Sequence, residues 1–287
     1  MTLPGPLSGA LARRPDIAAI ADRYRRPLRD ALMLVGLGRA FVFFVIEGEH
    51  PWEFAGIDAR AYWGVDLAHP YLASGVGEHS TYLYSPAFAQ LLVPFSALPF
   101  EVFFAFWTAV SFGLFVWLVR PWPWAIPMLI LPISYELFVG NVHFLLAAAI
   151  AVGLRAPAAW AFPVLTKITP GVGALWFLVR AQWRAFAAAV GATLAISAVS
   201  FVLSPSAWSD WVTFLLSSSG RSEYLPERVL LAAALVIVGA RTERRWLVPV
   251  AAWLALPVIW VNSWVILLAV IRLREPRLGD RPTGARG

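Results

Sequence analysis

The sequence predicts an all-α polytopic membrane protein with about eight to ten transmembrane helices, some of them broken or re-entrant. The chain is 60% hydrophobic and its mean hydropathy is +0.69. Only 14% of its residues are charged, whereas a soluble domain carries roughly 25%. Apolar segments recur almost to the C-terminus, and each crossing needs about 20 residues. A chain of 287 residues therefore has no room for a separate soluble domain.

The apolar segments are short and contain many prolines. They cover residues 31–46, 86–98, 102–119, 124–139, 142–154, 158–179, 185–203, 229–240, 246–261 and 262–272. Several are shorter than about 17 residues, the lower limit for a straight span. Prolines such as Pro94, Pro163 and Pro170 lie inside them. We therefore expect broken helices that line a cavity or pack inside the protein.

Arginines at the ends of these segments predict the topology. The first thirty residues contain six arginines and no apolar run long enough for a signal peptide, so we expect 31–46 to be retained as the first span. The positive-inside rule places 1–30, the connectors at Arg180–Arg184 and Arg241–Arg245, and the end of the chain in the cytoplasm. The stretch 47–85 has six acids and one arginine and is predicted to lie outside, as is 204–228. The expected division is a cytoplasmic segment 1–30, one transmembrane domain 31–272 and a disordered cytoplasmic tail 273–287, in the plasma membrane.

Charge and composition also exclude several classes of protein. The net charge of +6 would suggest nucleic acid in a soluble protein. Here the arginines flank apolar segments, so we expect a lipid bilayer as the partner and no nucleic acid. The chain has no cysteine, which excludes disulfides and thiolate metal sites. His50, His69 and His79 lack the spacing of a zinc site. We expect no metal site and no cofactor, and no pattern indicates a divalent cation.

Asp58 is the first candidate for chemistry. It lies just beyond the first span, among aromatic residues and two positions before Arg60, in an outer loop that we expect to carry short helices. A carboxylate in a low-dielectric pocket at the membrane surface can act as a general base for a hydroxyl nucleophile. The alternative is an ordinary solvated loop, in which Asp58 matters no more than Glu49 or Glu53.

Lys167 is the second candidate, and it is the only lysine in the chain. It precedes Arg180 by 13 residues, about 20 Å of straight helix, which places it in the outer half of the membrane. An ionisable group at that depth indicates function, and a compact ammonium suits a phosphate. Pro170 and Gly171 are expected to open the helix to a cavity. The alternative is a lysine that snorkels to the interface.

Other polar residues lie in or beside apolar segments. Asn141 and His143 begin one such segment, where they can cap a half-helix or face a lipid head group, or can be hydrogen-bonded without further role. Arg39 and Glu136 lie inside predicted spans and are expected to pair with each other as a structural contact. Aromatic side chains in the outer loop can stack on a sugar or belong to the interfacial belt. These are Trp52, Tyr62, Trp63, Tyr82 and Tyr84.

Three motifs occur in order within residues 40–190. They are Asp58-x-x-x-Tyr62-Trp63 with Tyr82-Leu-Tyr84-Ser85-Pro86, then Gly140-Asn141-Val142-His143-Phe-Leu-Leu, then Lys167-Ile-Thr-Pro170 before a basic connector. In this order they resemble the start, the Gly-Gln-x-Asn-x-Leu-Leu stretch and the Lys-x-x-Pro segment of glycosyltransferase family 87. Ser85 stands where that family has the first proline of Tyr-Pro-Pro, and Asn141 and His143 stand where Gln and Asn are common. The chain is also shorter than typical members, and the missing spans are expected on the C-terminal side.

The resemblance implies a fold and an activity. Such proteins are polyprenol-phosphate-mannose-dependent alpha-1,2-mannosyltransferases of actinobacteria with a GT-C membrane fold. The resemblance therefore implies an inverting, polyprenyl-phosphate-sugar-dependent hexosyltransferase that acts outside the plasma membrane on an envelope glycolipid or lipid-linked glycan. Mannose is the expected sugar, with arabinose open. The alternatives are a lipid-linked-sugar transporter or flippase, which the lack of internal repeats disfavours, and a non-catalytic shortened relative in an envelope-synthesis complex.

The resemblance also distributes the roles of the site residues. Asp58 matches the family's catalytic acidic residue, which takes the proton of the acceptor hydroxyl, and Lys167 matches a lysine at the donor phosphate. We expect further contacts to the donor phosphate from Arg60, Arg221 and His143. The residues expected to contact the sugar or the acceptor are Tyr62, Trp63, Tyr84 and Asn141.

Overall fold

The computed structural model describes residues 55–71, 82–120, 122–218 and 224–274, together with the single positions 26, 30, 33 and 37. These parts of the chain contain α-helices and 3₁₀ turns and no strand, which confirms the all-α class. The first half contains helices α1 Ile57–Trp63, α2 Pro86–Ser96, α3 Phe100–Val119, α4 Ile130–Val139, α5 His143–Gly153 and α6 Ala161–Lys167. The second half contains α7 Leu175–Val179, α8 Trp183–Leu203, α9 Pro205–Ser218, α10 Leu225–Arg241, α11 Leu247–Leu254 and α12 Ala269–Arg274. Helix α1 is the short helix expected in the outer loop, and α9 occupies much of 204–228.

Two of the described helices, α3 and α8, are long and apolar enough to cross a membrane by themselves. A third candidate is the pair Pro127–Val139 and His143–Gly153, which is bent by 113°. This confirms the membrane class and the broken or re-entrant helix. The number of eight to ten crossings stays a prediction, because other apolar segments are divided into shorter pieces. Segment 158–179, for example, contains α6, the 3₁₀ turn Thr169–Ala174 and α7.

The bend between α4 and α5 is made at Gly140. This residue ends α4 in the left-handed region, with φ of 72°, where glycine carries no steric penalty. A Cβ at Gly140 would lie 2.8 Å from the Cβ of Ala59 in α1, so a side chain would collide with the helix packed above it. The bend places Asn141 and His143 on a tight turn inside the protein.

A second break follows Lys167. Helix α6 ends there, and Ile168 adopts a positive φ of 58°, which is uncommon for a β-branched residue. Pro170 is the second residue of the next 3₁₀ turn, Thr169–Ala174, where its ring fixes φ and its missing N–H leaves no donor unsatisfied. The predicted break in this helix is therefore confirmed, whereas the cavity expected beside it stays a prediction. The chain from Lys167 to Arg180 is not the straight helix from which the depth of Lys167 was predicted.

The arginine-rich connectors gather at one end of the bundle. Arg180 donates a hydrogen bond to the carbonyl of Ala240 at 2.8 Å and forms an ion pair with Glu243. Arg272 donates to the carbonyl of Trp117 near the end of α3. This grouping is what the positive-inside argument requires. The membrane side on which it lies, and the division into 1–30, 31–272 and 273–287, stay predictions.

Candidate functional site

Helix α1 is mounted directly on the turn between α4 and α5. The N–H of Gly56, just before α1, donates to the carbonyl of Phe138 at 2.8 Å. Ala59 is fully buried against Gly140. The indole N–H of Trp107 from α3 donates to the carbonyl of Gly140 at 2.8 Å. These contacts fix the orientation of α1, and with it the direction in which the Asp58 carboxylate points.

The Asp58 carboxylate is held by the neighbouring turn. The side-chain amide of Asn141 donates to Asp58 Oδ2 at 2.7 Å. The amide oxygen of Asn141 accepts the N–H of Val142 at 2.7 Å, so the amide NH₂ faces the carboxylate. Burial raises the pKa of Asp58, while the Asn141 hydrogen bond and the positive charge of Lys167 act to lower it. The result is a weakly solvated carboxylate, which suits a general base.

Lys167 lies close enough to Asp58 for its charge to act on the carboxylate. Its Nζ lies 4.8 Å from the centre of the Tyr84 ring, within range of a cation–π interaction. The lysine is half-buried and ends α6. Although 58 and 167 are far apart in sequence, the structure brings the two predicted residues near each other, because Lys167 lies over Tyr84 and the Tyr84 hydroxyl contacts Tyr62 in the helix of Asp58.

Tyr62 and Tyr84 pack beside Asp58 and Lys167. Their hydroxyl oxygens lie 2.9 Å apart, and the ring of Tyr62 also packs against Phe88 and Trp107. Burial raises the pKa of both tyrosines, so neither hydroxyl ionises near neutral pH, and the role of Asp58 as the base stays a prediction. Both rings are more than 95% buried, so the expected sugar contact of either ring stays a prediction.

Arg60 points away from Asp58 and Lys167. Its guanidinium carbon lies 3.8 Å from the centre of the Phe100 ring, and the side chain lines a groove of about 710 Å³ along α3. Successive helical residues turn by about 100°, so Arg60 and Asp58 lie on opposite faces of α1. Trp63 is anchored elsewhere, because its indole N–H donates to the carbonyl of Leu98 at 2.8 Å. Arg221 lies outside the described residues.

His143 belongs to a buried polar cluster beside Asn141 and Asp58. Its Nδ1 lies 2.9 Å from Glu136 Oε2, and its backbone N–H donates to Glu136 Oε1 at 2.6 Å. Asn262 donates to Glu136 Oε2 at 2.9 Å. Arg39, the expected partner of Glu136, lies outside the described residues. The part played by Asn262 was missed, although the polar pair Asn262-Ser263 in an apolar segment is itself a signal of function or pairing.

No metal-binding group is evident in the described part of the chain. Nowhere in 55–71, 82–120, 122–218 and 224–274 do three His, Cys, Asp or Glu side chains gather where they could hold an ion. The expectation that the protein needs no cofactor stays a prediction.

The fold defines an integral membrane protein. Its candidate site has a carboxylate and a cation beside the breaks in its apolar helices. Comparison with protein families identifies the group: the model of glycosyltransferase family 87 matches residues 82–286, more than half of the chain. The protein therefore belongs to glycosyltransferase family 87. The match includes Asn141, His143 and Lys167 and begins after α1, which carries Asp58. Searches among curated proteins and among solved structures found no match.

Proposed function

We propose that this membrane glycosyltransferase transfers a sugar, with mannose the first candidate, from a polyprenyl-phosphate donor to an envelope glycolipid or lipid-linked glycan. Transfer takes place on the outer face of the plasma membrane, with both termini in the cytoplasm, and inverts the anomeric centre. The donor is a lipid phosphate and not a nucleotide sugar. This proposal combines the family membership with the arrangement of Asp58, Asn141 and Lys167.

The observation that carries the proposal is the proximity of Asp58 and Lys167, which are linked through the contacts Lys167–Tyr84 and Tyr84–Tyr62. In the proposed step, the acceptor hydroxyl oxygen attacks the anomeric carbon and its proton passes to Asp58. The bond from that carbon to the phosphate oxygen breaks, and polyprenyl phosphate leaves with the electron pair. Lys167 stabilises the charge that develops on the leaving phosphate, as cations in water-poor sites do. One displacement of this kind inverts the configuration.

The other predicted residues have different relations to this step. Asn141 donates to Asp58 and is proposed to orient the base. His143 is held by Glu136 through Nδ1 and is only 1% exposed, so its expected contact with the donor phosphate stays a prediction that the proposed step does not require. Arg60 faces the groove along α3, and its proposed contact with the donor would come from that side of α1. Arg221 remains a proposed contact from the second outer loop.

Transfer by the purified full-length protein tests the proposal. The protein in nanodiscs is given an envelope glycolipid extract and mannose labelled in one of two donors, polyprenyl-phosphate-mannose or a nucleotide-mannose. Polyprenyl-phosphate-arabinose is a third arm. A labelled glycolipid made from a lipid-phosphate donor, and not from the nucleotide donor, supports the proposal. If the lipid donor crosses the bilayer of proteoliposomes without forming product, the protein is a transporter and the proposal is wrong.

A further inference from the structure

Glu136 is a buried carboxylate that the proposed transfer step does not use. It is only 1% exposed, and its two oxygens accept three hydrogen bonds, from the backbone and ring of His143 and from Asn262. An ionisable residue inside a membrane protein is costly unless its partners satisfy it, and it therefore indicates a role. The cluster lies next to Asp58, because Asn141, which donates to Asp58 Oδ2, lies in the turn between Glu136 and His143.

The contacts of Glu136 close the turn between α4 and α5 from both sides. Its backbone carbonyl accepts the N–H of Gly140 at 2.9 Å. Its side chain reaches across the turn to the N–H of His143, the first residue of α5. A carboxylate at the N-terminus of a helix satisfies an N–H that has no partner within the helix and interacts favourably with the helix dipole. Residues 140–142 are thereby held in one conformation.

That turn supports the proposed base. Asn141 lies between Glu136 and His143 in the closed turn and donates to Asp58. Gly140 forms the surface on which Ala59 of α1 rests. A change in the turn would therefore move both the hydrogen-bond donor of Asp58 and the helix that carries it.

Asn262 anchors Glu136 from a distant part of the chain. It lies in the 3₁₀ helix Val261–Leu268 and is 3% exposed. Its amide NH₂ donates to Glu136, while its Oδ1 is buried without a partner among the described residues. A buried amide that leaves one of its groups unsatisfied costs stability. The side-chain hydrogen bond that Asn262 does form among the described residues goes to Glu136, which indicates that Asn262 serves to hold the Glu136 carboxylate.

We propose that Glu136, anchored by Asn262, is a positioning residue that fixes the turn 140–143 so that Asn141 holds the Asp58 carboxylate in its reactive orientation. This inference rests on the proposed function, in which Asp58 is the base. Glu136 does not contact the substrate, and its effect passes through Asn141 and α1. Substitution should therefore slow the transfer step and leave donor binding at Lys167 intact.

The kinetic test uses Glu136→Gln, which keeps the size of the side chain. We expect kcat to fall by roughly 10- to 100-fold, since a displacement of about 1 Å costs about 10²-fold, while KM for the lipid donor changes by less than about twofold. The matched control is Glu227→Gln, an exposed residue at the start of α10, which should behave as the wild type. In the Asp58→Asn background, Glu136→Gln should add little, because residues that act as a unit are not additive. A raised donor KM, or full additivity with Asp58→Asn, would overturn the proposal.

A second readout does not depend on transfer. A hydrophobic carbodiimide modifies protonated carboxyl groups, and peptide mass spectrometry gives the rate of modification at Asp58. Asn141→Ala and Glu136→Gln should each change this rate, and the double variant should match Asn141→Ala within about twofold. Additive effects of the two substitutions would contradict a path through Asn141. Should Glu136→Gln not fold, Asn262→Ala replaces it, since it removes the anchor and leaves the turn residues unchanged.

The two readouts separate the possible failures. If the wild type makes no product but modification of Asp58 depends on Glu136 through Asn141, the proposed function fails and the positioning role stands. If the wild type makes product and neither readout responds to Glu136→Gln or Asn262→Ala, the positioning role fails and the transferase stands.

Discussion

Substituting Gly140 by alanine perturbs the contact on which the proposed base is mounted. The new Cβ would lie 2.8 Å from Ala59 Cβ and 3.1 Å from Phe104 Cε2. Carbon atoms pack comfortably at about 3.5–4.0 Å, so Ala59 and α1 must move by about 0.7 Å or more. Alanine at φ of 72° also carries the left-handed penalty of about 1–2 kcal/mol. The substitution therefore strains the turn and displaces the helix of Asp58.

The displacement is large compared with the tolerance of the site. The bond from Asn141 to Asp58 Oδ2 is 2.7 Å long, and a shift of about 0.7 Å stretches it past the usual limit of about 3.2 Å. A misplacement of about 1 Å in an active site costs about 10²-fold in rate. We therefore expect Gly140→Ala to lower the transfer rate by roughly 10- to 100-fold in protein that still folds.

The assay is transfer from the labelled lipid donor, with thermal unfolding of each purified variant measured beside it. Gly113→Ala in α3 and Gly191→Ala in α8 are the controls, because a Cβ at either position meets no atom within 4 Å. Both should transfer sugar as fast as the wild type. A folded Gly140→Ala protein whose rate lies within about threefold of these controls would refute the rigid mounting of α1 on the turn.

Two further predictions concern the same site. Activity should be lost as the pH falls through the raised pKa of Asp58, because the base must be ionised. Asn141→Ala should move this loss to higher pH, because it removes a hydrogen bond that lowers the pKa of Asp58. A pH profile of kcat/KM whose midpoint is the same in Asn141→Ala and the wild type would contradict the contact. Lys167 is the only lysine, so reductive methylation followed by peptide mapping reports on one side chain. Polyprenyl phosphate should protect the Lys167 amine from methylation, and free mannose should not. Lys167→Met should raise the donor KM by roughly 10- to 100-fold, the effect of losing a hydrogen bond to a charged group. Equal methylation with and without the lipid phosphate would argue against a phosphate contact.

The membrane class and the breaks in the helices could be predicted because their causes are local. Hydropathy alone identifies apolar helices. The breaks at Gly140 and after Lys167 follow from glycine and proline chemistry within a few residues. The number of crossings is harder to predict, because a broken span and a re-entrant pair have the same composition. The bent pair at Gly140 illustrates this ambiguity.

The sequence singles out candidate residues for the site but not their geometry. Asp58 and Lys167 stand out in the sequence as a carboxylate beside a span and a single lysine inside one, but nothing local predicts that they lie near each other. Arg60 is near Asp58 in sequence, yet the helical rotation of about 100° per residue turns it to the groove along α3. Asn262 contacts Glu136 across more than a hundred residues; the sequence marks Asn262 as a polar residue in an apolar segment but does not identify its partner.

The most direct test of the account compares the transfer rates of Asp58→Asn and Asp66→Asn. Asp66 follows the same helix and is exposed, and its carboxylate accepts the local N–H of Ala68 at 2.9 Å, so it is a matched control for the loss of one carboxylate. General-base catalysis contributes about 10²- to 10⁴-fold. We predict that Asp58→Asn loses a factor in this range with the lipid donor still bound, while Asp66→Asn keeps the wild-type rate. Full transferase activity in Asp58→Asn would contradict the assignment of Asp58 as the base.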